Sequence, residues 1–392
     1  MNAWTDFFRP SPMVSGFVAV LVGYSTSVAI IFQAAQGLGA TDAQITSWLW
    51  ALGLGMGLSS IALTLYFRQP ILTAWSTPGA ALLVTSLSGV SLEEALGGFL
   101  LSSLAITLVG LTGWMDRLVR WVPGPLAAAM LAGVLLPFCL DAFVAVESQP
   151  VLVGTMVLVF LVSPKQWAVP FTLIIGVVTA WHLQLFHWPA QAFQLGGPVW
   201  TTPEFSVIGL INVALPLFVI TMVSQNLPGL MVLKSHGHQA PAKAAVSVTG
   251  ITGCLLAPFG GFAFNLAAIT AALCMTDTKP ERRYLATFWA GVSYCTLGVL
   301  GASVTALLIA LPMELVTAVA GLALLTTFGN SMVTSLSVQS ERLAALITFA
   351  VTASGVNIIG ISSSFWGLGL GLLVLLFNRL QAQHSRSYKT SP

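Results

Sequence analysis

Long apolar segments separated by short polar breaks recur along the whole chain. A helix that crosses a bilayer needs about 20 mainly apolar residues, and segments close to this length follow one another from residue 13 to residue 378. We therefore predict an all-α polytopic membrane protein with fourteen crossings, here called spans 1 to 14. Their approximate ranges are 13–37, 43–66, 70–89, 93–112, 123–146, 149–163, 166–185, 206–234, 242–257, 259–275, 284–310, 313–329, 342–361 and 363–378.

The cationic residues support this count, because loops on the cytoplasmic side of a membrane collect Lys and Arg. All 14 of them lie before span 1 or after an even-numbered span. One missed or invented span would break this alternation in every later loop. The pattern predicts that both termini are cytoplasmic, and it puts six acidic residues on the outer side: Asp42, Glu93, Glu94, Glu147, Glu204 and Glu314.

The composition agrees with lipid as the solvent of this chain. Hydrophobic residues make up 56% and charged residues 7% of the 392 positions, whereas about 25% of the residues in a soluble protein are charged. The net charge of +2 and the lack of a basic run argue against nucleic acid as a partner. Patterns typical of catalysis, of a phosphate loop or of a metal site are missing from the sequence, so we expect no enzyme, no cofactor and no metal.

The chain divides into two halves of seven spans at the polar segment 186–205. An odd number of spans per half makes the second half enter the membrane from the opposite side, as in inverted-repeat transporters. Two weak internal similarities agree with this arrangement. Residues 33–37 resemble residues 225–229 at an offset of 192, and the segment after Pro70 resembles the one after Pro258 at an offset of 188.

Spans 3 and 10 each combine a short β-compatible stretch with a helix start. In span 3, residues 71–76 precede Thr77, which we predict to be a helix N-cap with Pro78 at the first helical position. In span 10, residues 262–264 precede Asn265, which we predict to be the corresponding cap. We expect short strands that break both spans and two half-helices whose N-termini face each other. The alternative is an ordinary proline-kinked helix.

The facing N-termini predict a site for a small anion, because helix N-termini carry free N–H groups and about half a positive charge. Spans 1, 3, 8 and 10 contain no ionisable acid, base or histidine at depth. Ser27, Thr221 and Ser224 add uncharged hydrogen-bonding groups. The candidate substrate-binding residues are Tyr24, Ser25, Gln33, Thr77, Gly79, Gln225, Asn226, Phe264, Asn265 and Ala267.

Some of these candidates have a second interpretation. Gln and Asn at this depth must be satisfied by partners, so Gln225 and Asn226 either bind a ligand or stabilise the fold. A phenylalanine such as Phe264 could bracket an aromatic ring, but in a membrane span this residue type more often packs in the core.

Four stretches resemble the BenE family of benzoate transporters: RQPILTAWSTPGAALLVTSLSG (68–89), ALPLFVITMVSQNLPG (214–229), AAITAALC (267–274) and VTASGVNIIGISSSFWGL (351–368). The similarity extends along the whole chain. It implies the seven-plus-seven inverted fold of the related nucleobase permeases. Spans 1–4 (residues 1–112) and 8–11 (205–310) would form a core domain, and spans 5–7 (113–190) and 12–14 (311–380) a gate domain.

The resemblance also implies a function. It points to a secondary active transporter in the bacterial inner membrane that imports benzoate, or a similar aromatic carboxylate, together with a proton. The nucleobase permeases hold their substrate with acidic residues in spans 8 and 10, where this chain has Gln225, Asn226 and Asn265. The lack of acids fits an anionic cargo but leaves no evident proton carrier. A nucleobase or inorganic-anion carrier and a passive anion channel stay open as alternatives, as does a homodimer.

Overall fold

The computed structural model describes residues 10–25, 27–86, 89–114, 123–164, 167–185, 195–239, 241–275, 279–356, 358 and 363–389. These residues are mostly helical. The N-terminal Arg9, the loop arginines Arg117 and Arg120, and Lys165 lie outside the described residues, and so do residues 186–194 of the polar segment at the middle of the chain.

The first half of the chain contains eight described helices and one strand. Capping boxes begin two of these helices, with Thr41 and Gln44 before α3 and Ser91 and Glu94 before α5. The elements are α1 Pro10–Ser25, α2 Val28–Gly37, α3 Asp42–Phe67, β1 Thr73–Ala74, α4 Thr77–Ser86, α5 Leu92–Thr112, α6 Gly124–Ser148, α7 Pro150–Val162 and α8 Ala168–His182.

The second half begins with one long helical segment in which short α-helices alternate with two π-helical stretches. These are α9 Val207–Gly209, π1 Leu210–Ala214, α10 Leu215–Val219, π2 Ile220–Asn226 and α11 Leu227–Ser235. The remaining α-helices and the second strand are α12 Ala242–Leu256, β2 Asn265–Leu266, α13 Ile269–Cys274, α14 Arg283–Val299, α15 Gly301–Ala310, α16 Met313–Ser335, α17 Arg342–Ala353 and α18 Ser363–Lys389.

Both π-helical stretches precede a proline. π1 ends two residues before Pro216, and π2 ends two residues before Pro228. A proline has no N–H for the carbonyl four residues earlier, and its ring clashes with that carbonyl. A widened π turn accommodates this break inside a continuous helix. The sequence contains both prolines, but the π-helical form of the two stretches was not predicted from them.

Several of these helices are long and apolar enough to cross a membrane. Within the described ranges seven helical segments meet this criterion, and the pair α14 and α15, bent by 66° at a short break, would make an eighth. Other expected crossings correspond to shorter apolar helices, among them α7 and α8. The chain is therefore a multi-pass helical membrane protein, and the count of fourteen spans stays a prediction.

Glycines bring α3 and α14 into backbone contact. A Cβ atom on Gly53 would overlap the backbone of Gly298, and one on Gly57 would overlap the carbonyl of Gly291. Close approach through small residues is the usual way in which helices associate in lipid, where the hydrophobic effect between helices is weak. Besides this pair, α5 packs along α12, and α6 packs along α16 and α17.

Corresponding elements in the two halves are separated by a constant number of residues. β1 begins at Thr73 and β2 at Asn265, a difference of 192. The starts of α4 and α13 differ by the same number, and so do the starts of α2 and π2. This offset equals the one found between the sequences of spans 1 and 8.

The structure corrects the alignment of spans 3 and 10 and both predicted caps. The sequence offset of 188 placed Asn265 opposite Thr77, whereas Asn265 lies in β2. α13 instead begins at Ile269 without a side-chain cap. In span 3 the cap is Ser76, whose Oγ accepts a hydrogen bond from the N–H of Gly79 at 3.0 Å. The strands show that spans 3 and 10 are broken rather than merely kinked.

The contact between α3 and α14 can be tested with Gly53→Ala. The added methyl group would press on the backbone of Gly298, so we expect the free energy of unfolding to fall by about 1–3 kcal/mol. Thermal unfolding in detergent measures the change. Gly154→Ala is the matched control, because open space surrounds Gly154 in α7 and alanine favours a helix by about 0.5–1 kcal/mol. Equal losses in the two variants would contradict the contact.

Candidate functional site

The two strands form an antiparallel pair that lies between the half-helices of spans 3 and 10. Thr73 pairs with Leu266, and Ala74 pairs with Asn265. The N–H of Ala267 extends the pair by donating to the carbonyl of Leu72 at 2.9 Å. Because the strands are antiparallel, α4 and α13 leave the pair in opposite directions, each three residues after its strand. Short strands are therefore present in both spans and pair with each other, β1 within the expected residues 71–76 but β2 directly after the expected residues 262–264.

Buried hydroxyl groups of α3 hold β1 in place. The Thr73 hydroxyl lies 2.7 Å from the Ser59 hydroxyl and 2.8 Å from the Ser60 hydroxyl, and it donates to the Met56 carbonyl at 2.9 Å. The N–H of Thr73 donates to Ser60 Oγ at 2.9 Å. Extended backbone in a membrane needs such partners, because no water is available there. Both the backbone and the side chain of Thr73 therefore fix β1 to α3.

Asn226 holds β2 in the same way. Its Oδ1 accepts a hydrogen bond from the N–H of Leu266 at 2.9 Å, and its Nδ2 lies 3.3 Å from the Met222 sulfur. The side chain is completely buried. Both ends of the Asn226 amide therefore contact the protein itself, which favours the structural one of the two interpretations left open for this residue.

The break in span 1 contacts the start of α4. The hydroxyls of Ser27 and Thr77 lie 2.6 Å apart, and the ring of Tyr24 packs on the indole of Trp75 with centroids 4.9 Å apart. Span 1 is helical on both sides of Ser27, as α1 and α2. The structure therefore brings the predicted residues Tyr24 and Thr77 to one place, beside the end of β1.

Three buried polar atoms in this region have no hydrogen-bond partner among the described residues. They are the hydroxyl of Tyr24, Oγ1 of Thr221 and Oδ1 of Asn265. Tyr24 is 7% exposed, Asn265 is 1% exposed and Thr221 is fully buried. An unsatisfied buried polar group costs about 1–3 kcal/mol. A bound polar ligand or water would remove this cost, so these atoms are candidates for ligand contact.

Gln33 and Gln225 occupy equivalent positions in the two halves. They are 192 residues apart, the first in α2 and the second in π2. Both side chains are half-buried. Neither carboxamide forms a hydrogen bond with a described residue. Each carries two N–H donors and one acceptor oxygen that a ligand can use.

The N-terminus of α4 has little hydrogen-bonding capacity left. The N–H groups of Gly79 and Ala80 donate to Ser76, and Pro78 has none. The N–H of Thr77 is left without a partner among the described residues. Gly79 also packs against Leu217 so closely that a Cβ would not fit. Gly79 therefore lies in the first turn of α4, and its own N–H is used in the cap.

The other predicted residues make contacts within the fold. The hydroxyl of Ser25 donates to the Val22 carbonyl at 3.1 Å. The N–H of Ala267 belongs to the strand pair. The ring of Phe264 is buried against Gly55 of α3 and near Gly253 of α12. Phe264 thus has the core environment that its residue type suggested as the alternative.

The assembled region is uncharged. The segments that build it are 10–37, 70–86, 210–233 and 262–275, and none contains Asp, Glu, Lys, Arg or His. Among the described residues, no group of three or more His, Cys, Asp or Glu side chains could hold a metal ion. Ala263, just before β2, has a left-handed φ of 45°. This conformation costs about 1–2 kcal/mol in a residue other than glycine, so the surrounding contacts hold the turn.

Replacing Asn226 and its neighbour separates a structural role from a binding role. In Asn226→Ala the N–H of Leu266 loses its acceptor in a buried place, and we expect the free energy of unfolding to fall by about 1–3 kcal/mol. In Gln225→Ala no intramolecular bond is lost, so thermal unfolding in detergent should change little. A larger loss in Gln225→Ala than in Asn226→Ala would contradict this assignment.

Comparisons with known proteins agree on one family. The family described as benzoate membrane transport protein, BenE, matches residues 6–377. The inner membrane protein YdcO of Escherichia coli (strain K12) is 45% identical over 384 residues, which cover 96% of this chain and 98% of YdcO. The benzoate membrane transport protein of Acinetobacter baylyi (strain ATCC 33305 / BD413 / ADP1) is 38% identical over 369 residues, which cover 93% of this chain and 94% of that protein.

Solved structures share the fold at low sequence identity. The transmembrane domain of the cyanobacterial bicarbonate transporter BicA superposes with a TM-score of 0.58 at 12% identity, covering 93% of this chain and 97% of that domain. The structure of SLC26A9 superposes with a TM-score of 0.57 at 11% identity, covering 97% of this chain and 67% of that one. At this identity the likeness concerns the fold alone. The family match over nearly the whole length, together with the two curated relatives, shows that this chain belongs to the BenE family of benzoate membrane transport proteins.

Proposed function

We propose that this protein imports benzoate, or a similar aromatic carboxylate, by secondary active transport across the bacterial inner membrane. Membership of the BenE family carries the proposal, and a relative 38% identical to this chain is described as a benzoate membrane transport protein. The proposed site lies where β1, β2, the start of α4, the break in span 1 and π2 meet. Both termini lie in the cytoplasm in this proposal, as the Lys and Arg pattern predicts.

The electrostatics of the site support an anionic cargo. The segments that build the region around β1 and β2 contain no acidic side chain to repel a carboxylate, and the positive end of α4 faces the same place. The unpartnered groups of Tyr24, Thr221 and Thr77 offer hydrogen-bond donors to an anion. The carboxamides of Gln33 and Gln225 contribute N–H donors from opposite halves of the chain. Asn265 would contact the ligand through its free Oδ1. This oxygen accepts a hydrogen bond, so it suits a protonated or polar group of the ligand, or a water molecule.

Alternating access would come from movement of a core domain against a gate domain. The proposal assigns residues 1–112 and 205–310 to the core and residues 113–190 and 311–380 to the gate. The packing supports this division, because α3 packs on α14 and α5 on α12, whereas α6 packs on α16 and α17. The constant spacing of 192 residues between corresponding elements supports two inverted repeats as the origin of the core.

A proton is part of the proposed transport cycle for an energetic reason. Moving one negative charge into a negative-inside cell costs about 2.3 kcal/mol per 100 mV of membrane potential. Cotransport of one proton cancels the charge of a monoanion. The symport of one benzoate with one proton would therefore be independent of the membrane potential and driven by the pH difference.

Reconstituted vesicles test the cargo. We expect saturable uptake of labelled benzoate that increases with an inward proton gradient. Unlabelled benzoate should compete, whereas benzamide, which has the same ring without the negative charge, should compete at least about tenfold more weakly, since one lost charged contact is worth about 1.5–3 kcal/mol. Uracil or bicarbonate as the better competitor would show one of the alternative carriers, and unsaturable current without coupling would show a channel.

The position of the site is tested by adding a negative charge to it. In Gln33→Glu and Gln225→Glu a carboxylate would repel the cargo, with a like-charge energy of about 4 kcal/mol at 4 Å in a partly screened site. We expect the KM for benzoate to rise at least tenfold in both variants. Gln36→Glu is the matched control, because Gln36 lies in the same helix as Gln33 and is exposed. Unchanged uptake in both site variants would overturn the assignment, provided that both proteins elute as folded species.

A further inference from the structure

A second site lies at the basic end of the protein, away from the strand pair. Span 8 packs on α5 through π1 and α10, but its last segment, α11, packs on β2 and α13 instead. α12 stays packed along α5. A cavity of about 520 Å³ lies between α11 on one side and α5 and α12 on the other.

The walls of this cavity are apolar and continuous with the lipid-facing surface. Val109 of α5, Leu230 and Met231 of α11, and Val246 of α12 line it. The side chain of Met231 is 62% exposed, so the cavity is open along the outside of the helix bundle. An apolar chain in the surrounding lipid could reach the cavity from the side of Met231.

The end of the cavity is basic. Lys234 at the end of α11, Lys243 at the start of α12, and His238 between them line this end, and the lining includes no Asp or Glu. Gly113 leaves room for the stem of Lys243, which lies against it. Nε2 of His238 is buried without a partner among the described residues. Burial, and then the charges of Arg283 and His236, lower the pKa of His238, which favours the neutral ring.

We propose that this cavity binds an anionic phospholipid, with the phosphate between Lys234, Lys243 and His238 and an acyl chain along Leu230 and Met231. Basic pockets between membrane helices on the cytoplasmic side suit acidic headgroups, and each lysine near such a surface contributes about 1 kcal/mol. The Lys and Arg pattern places this end of the bundle at the cytoplasmic face.

The transported acid fits this cavity less well than a lipid does. A volume of about 520 Å³ is in the range of roughly 300–1,000 Å³ that holds drug-sized ligands, and a single-ring acid would fill little of it. Its walls come from α5, α11 and α12, which all belong to the proposed core domain. A cargo that moves by alternating access must instead pass between the core and the gate.

Binding of a fluorescent phosphatidylglycerol to the full chain in detergent micelles tests the proposal. We expect phosphatidylglycerol to bind at least about tenfold tighter than phosphatidylcholine with the same acyl chains. The double variant Lys234→Gln, Lys243→Gln should lose about tenfold or more of this affinity, since two such contacts correspond to about 2 kcal/mol. Met231→Trp, which fills the open side of the cavity, should weaken binding without changing the charge.

The matched control removes two cations from the same end of the protein but outside the cavity. In Lys279→Gln, Arg342→Gln we expect affinity for phosphatidylglycerol to stay within about twofold of the unaltered chain. Equal loss in this control would show general attraction to the basic end and overturn the proposal. Full competition by glycerol phosphate would show a soluble anion site, and full competition by benzoate would show a cargo route. Either result would also overturn it.

Discussion

Extended backbone inside a bilayer must find hydrogen-bond partners within the protein, and the centre of this structure follows from that requirement. β1 and β2 satisfy part of it by pairing with each other. Ser60 satisfies the N–H of Thr73, and Asn226 satisfies the N–H of Leu266. Each strand is thereby linked to a neighbouring full-length span. Two short strands that would be unstable alone become the fixed point at which spans 1, 2, 3, 8 and 10 meet.

The register of the strand pair relates the two halves of the chain. Exchanging each paired residue for the one 192 positions away converts the pair of Thr73 and Leu266 into the pair of Asn265 and Ala74. The pattern of partners is therefore unchanged by the exchange, as a local two-fold axis requires. The helices that follow obey the same spacing. The polar groups that hold the strands do not follow this two-fold relation. Hydroxyls hold β1 and a carboxamide holds β2, so the two sides of the site differ in chemistry.

Much of this arrangement was predictable from the sequence, and the errors have physical causes. The β-compatible residues before Thr77 and Asn265 correctly predicted broken spans. The cap of span 3 was misplaced because Ser76 and Thr77 are both good capping residues, and only the turn geometry decides between them. Asn265 was misplaced because it lies in β2, and α13 begins without a side-chain cap. The family resemblance was confirmed by the comparisons.

Roles that depend on long-range contacts could not be predicted in this way. Asn226 looked like a ligand group because a carboxamide at that depth needs a partner, and its partner, the N–H of Leu266, is 40 residues away in the chain. Phe264 packs against two glycines from different spans, which no local pattern reveals. Pro216 and Pro228 indicate that the helix is interrupted near the π-helical turns, but a proline predicts an interruption without predicting its form.

The uncharged character of the region around β1 and β2 has a consequence for proton coupling. Asp, Glu and His are missing from the segments that build it, so these segments supply no side chain of these types to change charge near neutral pH. The proposed carboxylate cargo would bring an acid–base equilibrium of its own to such a site. A carboxylic acid that enters with its proton and leaves without it would then be its own coupling element, and the protein would need only to admit both forms.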